Sequence, residues 1–216
     1  MISEKTGFFI SFEGNDGSGK TTQIRLLAQW FESRGRAVLQ LREPGGTPIG
    51  EKVRDILLDN ASSGMEPVTE MMLYAASRAQ LMRTVIAPAL KRGDVVICDR
   101  FVDSSYAYQG FGRELGMETV QAVNLVAIDG QMPHLTFFLD LDADMSMARR
   151  NASGTEADRL ENEKMDFHRR VYEGYLTLCA ASGDRIKRIP VMAGLVQRTQ
   201  EEVSLEIRDF VLDLLS

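Results

Sequence analysis

Near the amino terminus, Gly14-Asn15-Asp16-Gly17-Ser18-Gly19-Lys20-Thr21 has the pattern G-x-x-x-x-G-K-T and is followed by Thr22. Glycines at these places let consecutive backbone N–H groups turn inward around an anion. A helix that starts here adds its partial positive charge, Lys20 reaches the outer phosphates, and the Thr21 hydroxyl offers an oxygen to Mg²⁺. The chemistry is that of a nucleoside triphosphate. A second constellation, Asp99-Arg100, closes an apolar run. There the carboxylate can hold Mg²⁺ through water and the guanidinium can hold a second phosphate, although the same pair also reads as a structural ion pair. Tyr74 and Arg78 stand four apart, on one face of a helix. A ring and a guanidinium so placed can stack on a base and hydrogen-bond its carbonyl edge. The alternative for Tyr74 is a core aromatic on a long buried helix.

The elements that must position these residues are legible as alternating apolar runs and helical patterns. Residues 8–12 form a short apolar strand directly before the glycine-rich loop, and 22–31 carry apolar residues at helical spacing. Further strands fall at 37–41, 94–98 and 135–139, with a weaker one at 185–189. A short helix is expected over 49–58, a break at 61–64, and a long helix over 67–91 that bends at Pro88. A terminal helix covers 197–215. Short buried strands alternating with helices imply an α/β fold, a five-stranded parallel sheet with helices on both faces. Ligands of such sheets bind beyond the carboxyl ends of the strands. The polar clusters fall at those ends: the glycine-rich loop, Arg42-Glu43 and Asp99-Arg100. Asp140 and Asp142, after the fourth strand, read as a helix N-cap region.

Composition narrows the partners. A chain of 216 residues suits one domain with a substantial core. The net charge of −6 argues against a nucleic-acid polymer as substrate. Cys98 and Cys179 lack metal-type spacing, and Cys98 sits in an apolar run, which points to a reduced, cytoplasmic setting. No stretch approaches the ~18 apolar residues of a membrane span. His134 and His168 read as structural or solvent-facing. A guanine-nucleotide switch would carry Asn-Lys-x-Asp, which Asn124-Leu125-Val126-Ala127 does not match, and a transport ATPase would carry a Ser-Gly-Gly signature, which is absent.

The segment Asp99-Arg100-Phe101-Val102-Asp103-Ser104-Ser105-Tyr106-Ala107-Tyr108-Gln109-Gly110 resembles the Asp-Arg-aromatic signature of the thymidylate kinases. Phe12 to Gln23 is similar to that family's phosphate loop, and Arg42-Glu43-Pro44-Gly45-Gly46-Thr47 to its second-strand loop. Tyr74-Ala75-Ala76-Ser77-Arg78 falls where the family has an aromatic residue followed by Arg four positions on. With these motifs in the family's order, the resemblance runs from about Phe8 through the terminal helix.

The resemblance implies a P-loop NTPase-type kinase in a single domain, 1–216, with a small lid at about 148–160. It implies transfer of the γ-phosphoryl of ATP to the 5′-phosphate of dTMP, with Mg²⁺ as cofactor. Donor binding would use the loop from Gly14 to Thr22, and the metal would sit against Thr21 and Asp99. On the acceptor side Tyr74 would stack on thymine and Arg78 would contact its O4 edge, with Gln109 on the base and Ser105 close by. Tyr108 would lie against the sugar C2′. Asp16 would bind the 3′-hydroxyl, or else cap a loop N–H. Arg100 would bridge the two phosphates, with Arg42 and Arg54 as further acceptor-side cations.

The family places one more arginine near the transferring group, from the phosphate loop or from the lid. Gly17 takes the loop position here, so the lid must supply it. Ser153 and Thr155 occupy positions where similar lids carry arginine, which leaves Arg149, Arg150 or Arg159, with Arg150 the choice. A homodimer follows by analogy, with the helix from Pro67 as the interface. The alternatives are a kinase for another deoxynucleotide or deoxynucleoside, and a nucleotide-binding protein without turnover. A 5-methyl group separates thymine from uracil by only about 1–3 kcal/mol, so the sequence sets no ratio between them.

Overall fold

The computed structural model describes residues 6–154 and 156–215. The lid position Thr155 and the side chain of Ser153 lie outside the described residues. Strand β1 (Phe8–Glu13) leads through the glycine-rich loop into α1 (Lys20–Glu32), and β2 (Val38–Arg42) leads into α2 (Pro48–Leu58). Next come α3 (Pro67–Leu81), α4 (Ala87–Arg92), β3 (Val95–Asp99), α5 (Val102–Ser105) and α6 (Met117–Ile128). The chain continues through β4 (Leu135–Asp140), α7 (Ala143–Ser153), α8 (Met165–Ala181) and β5 (Ile186–Pro190). A hairpin of β6 (Met192–Ala193) and β7 (Val196–Gln197) precedes α9 (Gln200–Leu215).

The five longer strands pair in the order β2-β3-β1-β4-β5, every pair parallel, as the apolar runs require. Both faces are covered. Phe8, Ile10 and Phe12 of β1 meet Ile24, Leu27 and Phe31 of α1 and Ile207 of α9. Phe9, between them in sequence, packs with Val96, Phe138, Leu81 and Val171 on the other face. Alternation within a strand therefore feeds two separate cores. Each fully buried Phe or Leu contributes about 1.5–3 kcal/mol.

Register decides where the site lies. Asp99 of β3 pairs with Phe12 of β1 and with Arg42 of β2, so Glu13, Arg42 and Asp99 end along one edge. The helix expected over 67–91 is divided. After α3 one wide turn spans Met82–Ile86, closed by the Ala87 N–H on the Met82 carbonyl, and α4 follows. Pro88 has no N–H to give to a carbonyl one turn back, and the i→i+5 turn precedes it. A second wide turn, Tyr106–Gly112, continues α5, where the sequence pattern shows no such element. The β6–β7 hairpin has no signature in the sequence either, because two-residue strands leave no periodicity to read. Thr47 caps α2 by accepting from the Gly50 N–H at 2.9 Å, with Pro48 as the first helical residue. Asp142 caps α7 through the Met145 N–H at 2.8 Å, as expected, while Asp140 pairs with Arg188 instead.

Candidate active site

The loop between β1 and α1 needs backbone that only glycine adopts cheaply. Gly14 has φ +128° and a Cβ there would lie 2.6 Å from the Leu139 carbonyl oxygen, so β4 backs the loop closely. Gly17 has φ +75°, and Arg149 of α7 packs against the place its Cβ would occupy. Lys20 is buried and donates to the carbonyls of Gly14 and Asn15 at 2.9 and 3.1 Å. Burial lowers its pKa, and Arg100 lowers it further against the pull of Asp16.

Arg100, directly after β3, takes φ +67°, an uncommon conformation for a non-glycine residue. Glu13 helps to hold it there. This carboxylate is fully buried and accepts from the Phe101 N–H at 2.7 Å, from Tyr175 Oη at 2.9 Å, from Ser11 Oγ at 2.8 Å and from Ser104 Oγ. Burial raises its pKa, as does Asp103, against these hydrogen bonds and Arg100. The Arg100 guanidinium pairs with Asp16 at 2.7 Å and lies over the Tyr108 ring, 5.2 Å from its centroid. Burial would raise the Asp16 pKa, but Arg100 and Lys20 outweigh it and hold the carboxyl well below the usual range.

A cavity of about 460 Å³ opens over these groups. It is lined by Asp16, Gly17, Gly19, Lys20, Thr21 and Thr22 of the loop. Asp99, Arg100, Arg42, Arg54, Tyr74, Ser105, Tyr108 and Gln109 line it too, and Arg100 links the loop to the aromatic wall, paired with Asp16 and lying over Tyr108. Arg42 and Arg54 both donate to the Pro44 carbonyl at 3.0 Å, across the cis Glu43–Pro44 bond, and Arg42 pairs with Glu51 at 2.9 Å. The sequence-derived residues thus converge on one cavity, with five departures. Gly14, Asn15 and Ser18 belong to the loop but are not among the lining residues, and the Asn15 side chain donates to the Leu141 carbonyl at 3.1 Å.

Arg78 is the fourth departure. It is 1% exposed and does not line the cavity. Nε and Nη2 bind Glu43 at 2.8 and 2.6 Å, Nη2 also reaches the Phe101 carbonyl, and Nη1 takes Ser105 Oγ at 2.8 Å and Asn124 Oδ1. All the N–H donors of a guanidinium are thereby engaged. The helical spacing of four from Tyr74 is real, but the bulk of Ser105 and Glu43 stands between Arg78 and the cavity. Contact with a base edge requires Arg78 to exchange one of these partners.

Arg150 is the fifth. It lines a small neighbouring recess with Asn15, Asp16, Tyr108 and Ser146 and donates to the Glu161 carbonyl and Met147 Sδ. Arg149 touches the phosphate loop, through the Gly17 carbonyl at 2.9 Å. Arg159 does not line the cavity, although its neighbours Asp158 and Leu160 do, and it is ion-paired to Glu70 at 2.8 Å.

Several lining groups were given no role by the sequence: Glu43 and Asp158, though they lie in the strand-end cluster and the lid, and Glu161 and His168. His168 reads from sequence as structural or solvent-facing, yet it borders both the main cavity and the recess. His134 is structural, accepting from the Phe9 N–H at 2.9 Å and stacking on Phe8. Glu13 had a weak signal, a lone charge at the carboxyl end of an otherwise apolar strand.

A parallel sheet with a phosphate loop after its first strand, facing a polar and aromatic wall across one cavity, defines a P-loop NTPase fold built for two ligands. Comparison with known proteins narrows this. The family model described as Thymidylate kinase matches residues 12–203. A thymidylate kinase from Thermoanaerobacter sp. (strain X514) is 55% identical over 172 residues, 80% of this chain and 83% of that protein. Another, from Symbiobacterium thermophilum, is 47% identical over 207 residues, 96% of this chain and 94% of that protein. The crystal structure of thymidylate kinase from Ehrlichia chaffeensis superimposes with a TM-score of 0.78 at 31% identity, covering 95% of this chain and 99% of that one. The chain belongs to the thymidylate kinase family.

Proposed function

We propose that this protein is an ATP-dependent dTMP kinase, moving the γ-phosphoryl of ATP to the 5′-phosphate of dTMP to give dTDP and ADP. The observation that carries the reading is one cavity lined by both the phosphate loop and an aromatic wall, with Arg100 paired to Asp16 of the loop and lying over Tyr108 of the wall. The nucleophile needs no general base, because a phosphate monoester with a second pKa near ~6 is already largely ionised at pH 7. What remains is to neutralise two anions that repel each other and to hold them in line.

Lys20 and the loop amides of residues 14–22 hold the donor phosphates. Arg100 bridges acceptor and donor, and Arg42 and Arg54 bind the acceptor phosphate. Tyr74 stacks on the base, Gln109 and Ser105 contact its edge, Arg78 sets Ser105, and Tyr108 crowds the sugar C2′. Asp16 takes the 3′-hydroxyl. Arg150 is the lid cation, with Arg149 its rival. Thr21 and Asp99 line the cavity beside Lys20 and offer hard oxygen ligands that suit Mg²⁺. Among the described residues no cluster of three His, Cys, Asp or Glu side chains could hold a metal, which suits an ion bound largely through substrate phosphates. Mg²⁺ there would neutralise phosphate charge.

The whole chain works as one kinase domain with a lid over about 148–160. A homodimer is supported by exposed apolar residues on adjoining helices, Val68 and Met72 on α3 and Leu125 and Val126 on α6. Leu125→Glu should then shift a dimer toward monomer in sedimentation velocity, and an unchanged profile would reject this face. A cytoplasmic setting is supported by two unpaired cysteines, and no described helix is long and apolar enough to cross a membrane.

The deciding assay couples ADP release to a panel of acceptors with ATP and Mg²⁺: dTMP, dUMP, dCMP, dGMP, UMP and thymidine. A clear preference for dTMP is expected. Preference for thymidine would make this a nucleoside kinase and would remove the role given to Arg100.

A further inference from the structure

Behind the aromatic wall of the cavity lies a buried charge cluster that the functional reading does not use. Glu70 of α3 is fully buried. Its Oε1 accepts from Gln109 Nε2 at 2.9 Å and from Arg113 Nε at 3.2 Å, and its Oε2 accepts from Arg113 Nη2 at 2.8 Å and is ion-paired to Arg159 Nη1 at 2.8 Å. The two arginines are themselves fixed. Arg113 also pairs with Glu163 at 2.6 Å, and Arg159 donates from Nε to the Leu57 carbonyl at 2.8 Å. With a guanidinium on each side, the carboxyl is held ionised.

An ionised carboxylate only accepts hydrogen bonds. The Gln109 amide must therefore turn its N–H₂ toward Glu70, and its carbonyl oxygen must point the other way. Gln109 is 1% exposed, and what it does expose lines the cavity. Among the described residues nothing donates to its Oε1, and that oxygen is not one of the polar atoms sealed from solvent without a partner. The carbonyl opens on the cavity.

We infer that Glu70 is a specificity-determining positioning residue, which fixes the Gln109 amide so that the wall presents an acceptor to a base edge carrying an imide N–H. The inference rests on the cavity being the acceptor-nucleotide site. Thymine and uracil carry N3–H between two carbonyls. Cytosine has a bare N3 lone pair at the same place, and two acceptors facing each other repel. Selection of the base is thus set by a residue that does not touch it. Leaving a buried acceptor opposed or unpaired discriminates far more strongly than a missing methyl group.

The test compares kcat/KM for dTMP and dCMP in the wild-type protein, Glu70→Gln, Gln109→Leu and the double variant. A glutamine at position 70 can donate to Gln109 Oε1, so both amide orientations become available. The dTMP-to-dCMP ratio should fall on the order of tenfold to a hundredfold in Glu70→Gln. The double variant should lose little beyond Gln109→Leu. Glu70→Gln lowering both acceptors in step, with the ratio kept, would make the role structural only and overturn the inference. A wild-type protein with no preference for dTMP would instead overturn the functional reading and this inference with it.

Because Glu70→Gln removes the counter-charge of the buried Arg159 and one of the two carboxylates around the half-buried Arg113, the same question is put to the wild-type protein by NMR. The side-chain N–H₂ pair of Gln109, assigned by its loss in Gln109→Glu, should stay protected from exchange when dTMP is added. Loss of that protection would mean that the amide leaves Glu70 to meet the base, and the inference would fall.

Discussion

Lys20 reaches two loop carbonyls, Gly14 and Asn15, with Asp16 3.6 Å away. These acceptors hold the ammonium where phosphate oxygens would replace them. Lys20→Ala should therefore lower kcat on the order of a thousandfold, the cost of removing one preorganised cationic donor. Thermal unfolding should shift little, and near-normal turnover would remove the phosphate-loop assignment. The lid poses a sharper question, since Arg149 touches the Gly17 carbonyl while Arg150 faces the recess beside Asp16. A cation that acts at the transition state lowers kcat far more than it weakens acceptor binding. Arg150→Ala should show that pattern in steady-state kinetics, and Arg149→Ala should chiefly raise the KM for ATP. The reverse result would move the catalytic role to Arg149.

At the scale of elements, the wide turn Tyr106–Gly112 and helix α8 are fitted to one another. Gly112 has no room for a side chain, since a Cβ would lie 2.7 Å from Phe167 Cε2 and 2.8 Å from Val171 Cγ2. Gly112→Ala should cost about 1–3 kcal/mol of overpacking, measured by urea denaturation. The same change should raise the KM for dTMP, because the turn carries Tyr108 and Gln109 to the cavity. Loss of stability with an unaltered KM would show that the turn and the wall are mechanically separate. Glu13 plays the corresponding part for the turn after β3, tying Phe101 and Ser104 to the end of β1 and so fixing Arg100.

For the molecule as a whole, the buried Glu43–Arg78 pair makes stability depend on pH. Burial pushes the Glu43 carboxyl up to about 7 from an ordinary 4.5, with Arg78 opposing. Between those values the folded protein retains a proton that the unfolded chain has released. The contribution of this group to stability is therefore present below about pH 4.5 and is lost as pH rises toward 7. Urea midpoints should show that decline in the wild-type protein, and Glu43→Gln should flatten it. An unchanged slope in the variant would assign the dependence to another group. The chain is acidic overall, yet Lys20, Arg42, Arg54 and Arg100 gather at one cavity, where local charge rather than net charge governs an anionic ligand.

The phosphate loop, the five parallel strands and the Asp99-Arg100 strand end were legible because each rests on local rules. Glycine spacing, apolar run length and helical period act over a few residues and survive without tertiary information. The convergence of Arg42, Tyr74 and Tyr108 was legible only through resemblance, since those residues lie on separate elements. What the sequence could not yield was depth. Helical spacing placed Arg78 on the face of Tyr74, but burial behind Ser105 and Glu43 depends on how α3 packs against α5 and α6. The same holds for Glu70, which no local pattern singles out, and for Arg159, which the lid position offered only as a candidate cation for the transferring group. Only the tertiary packing brings them together, because a buried carboxylate must find its cations wherever the fold delivers them.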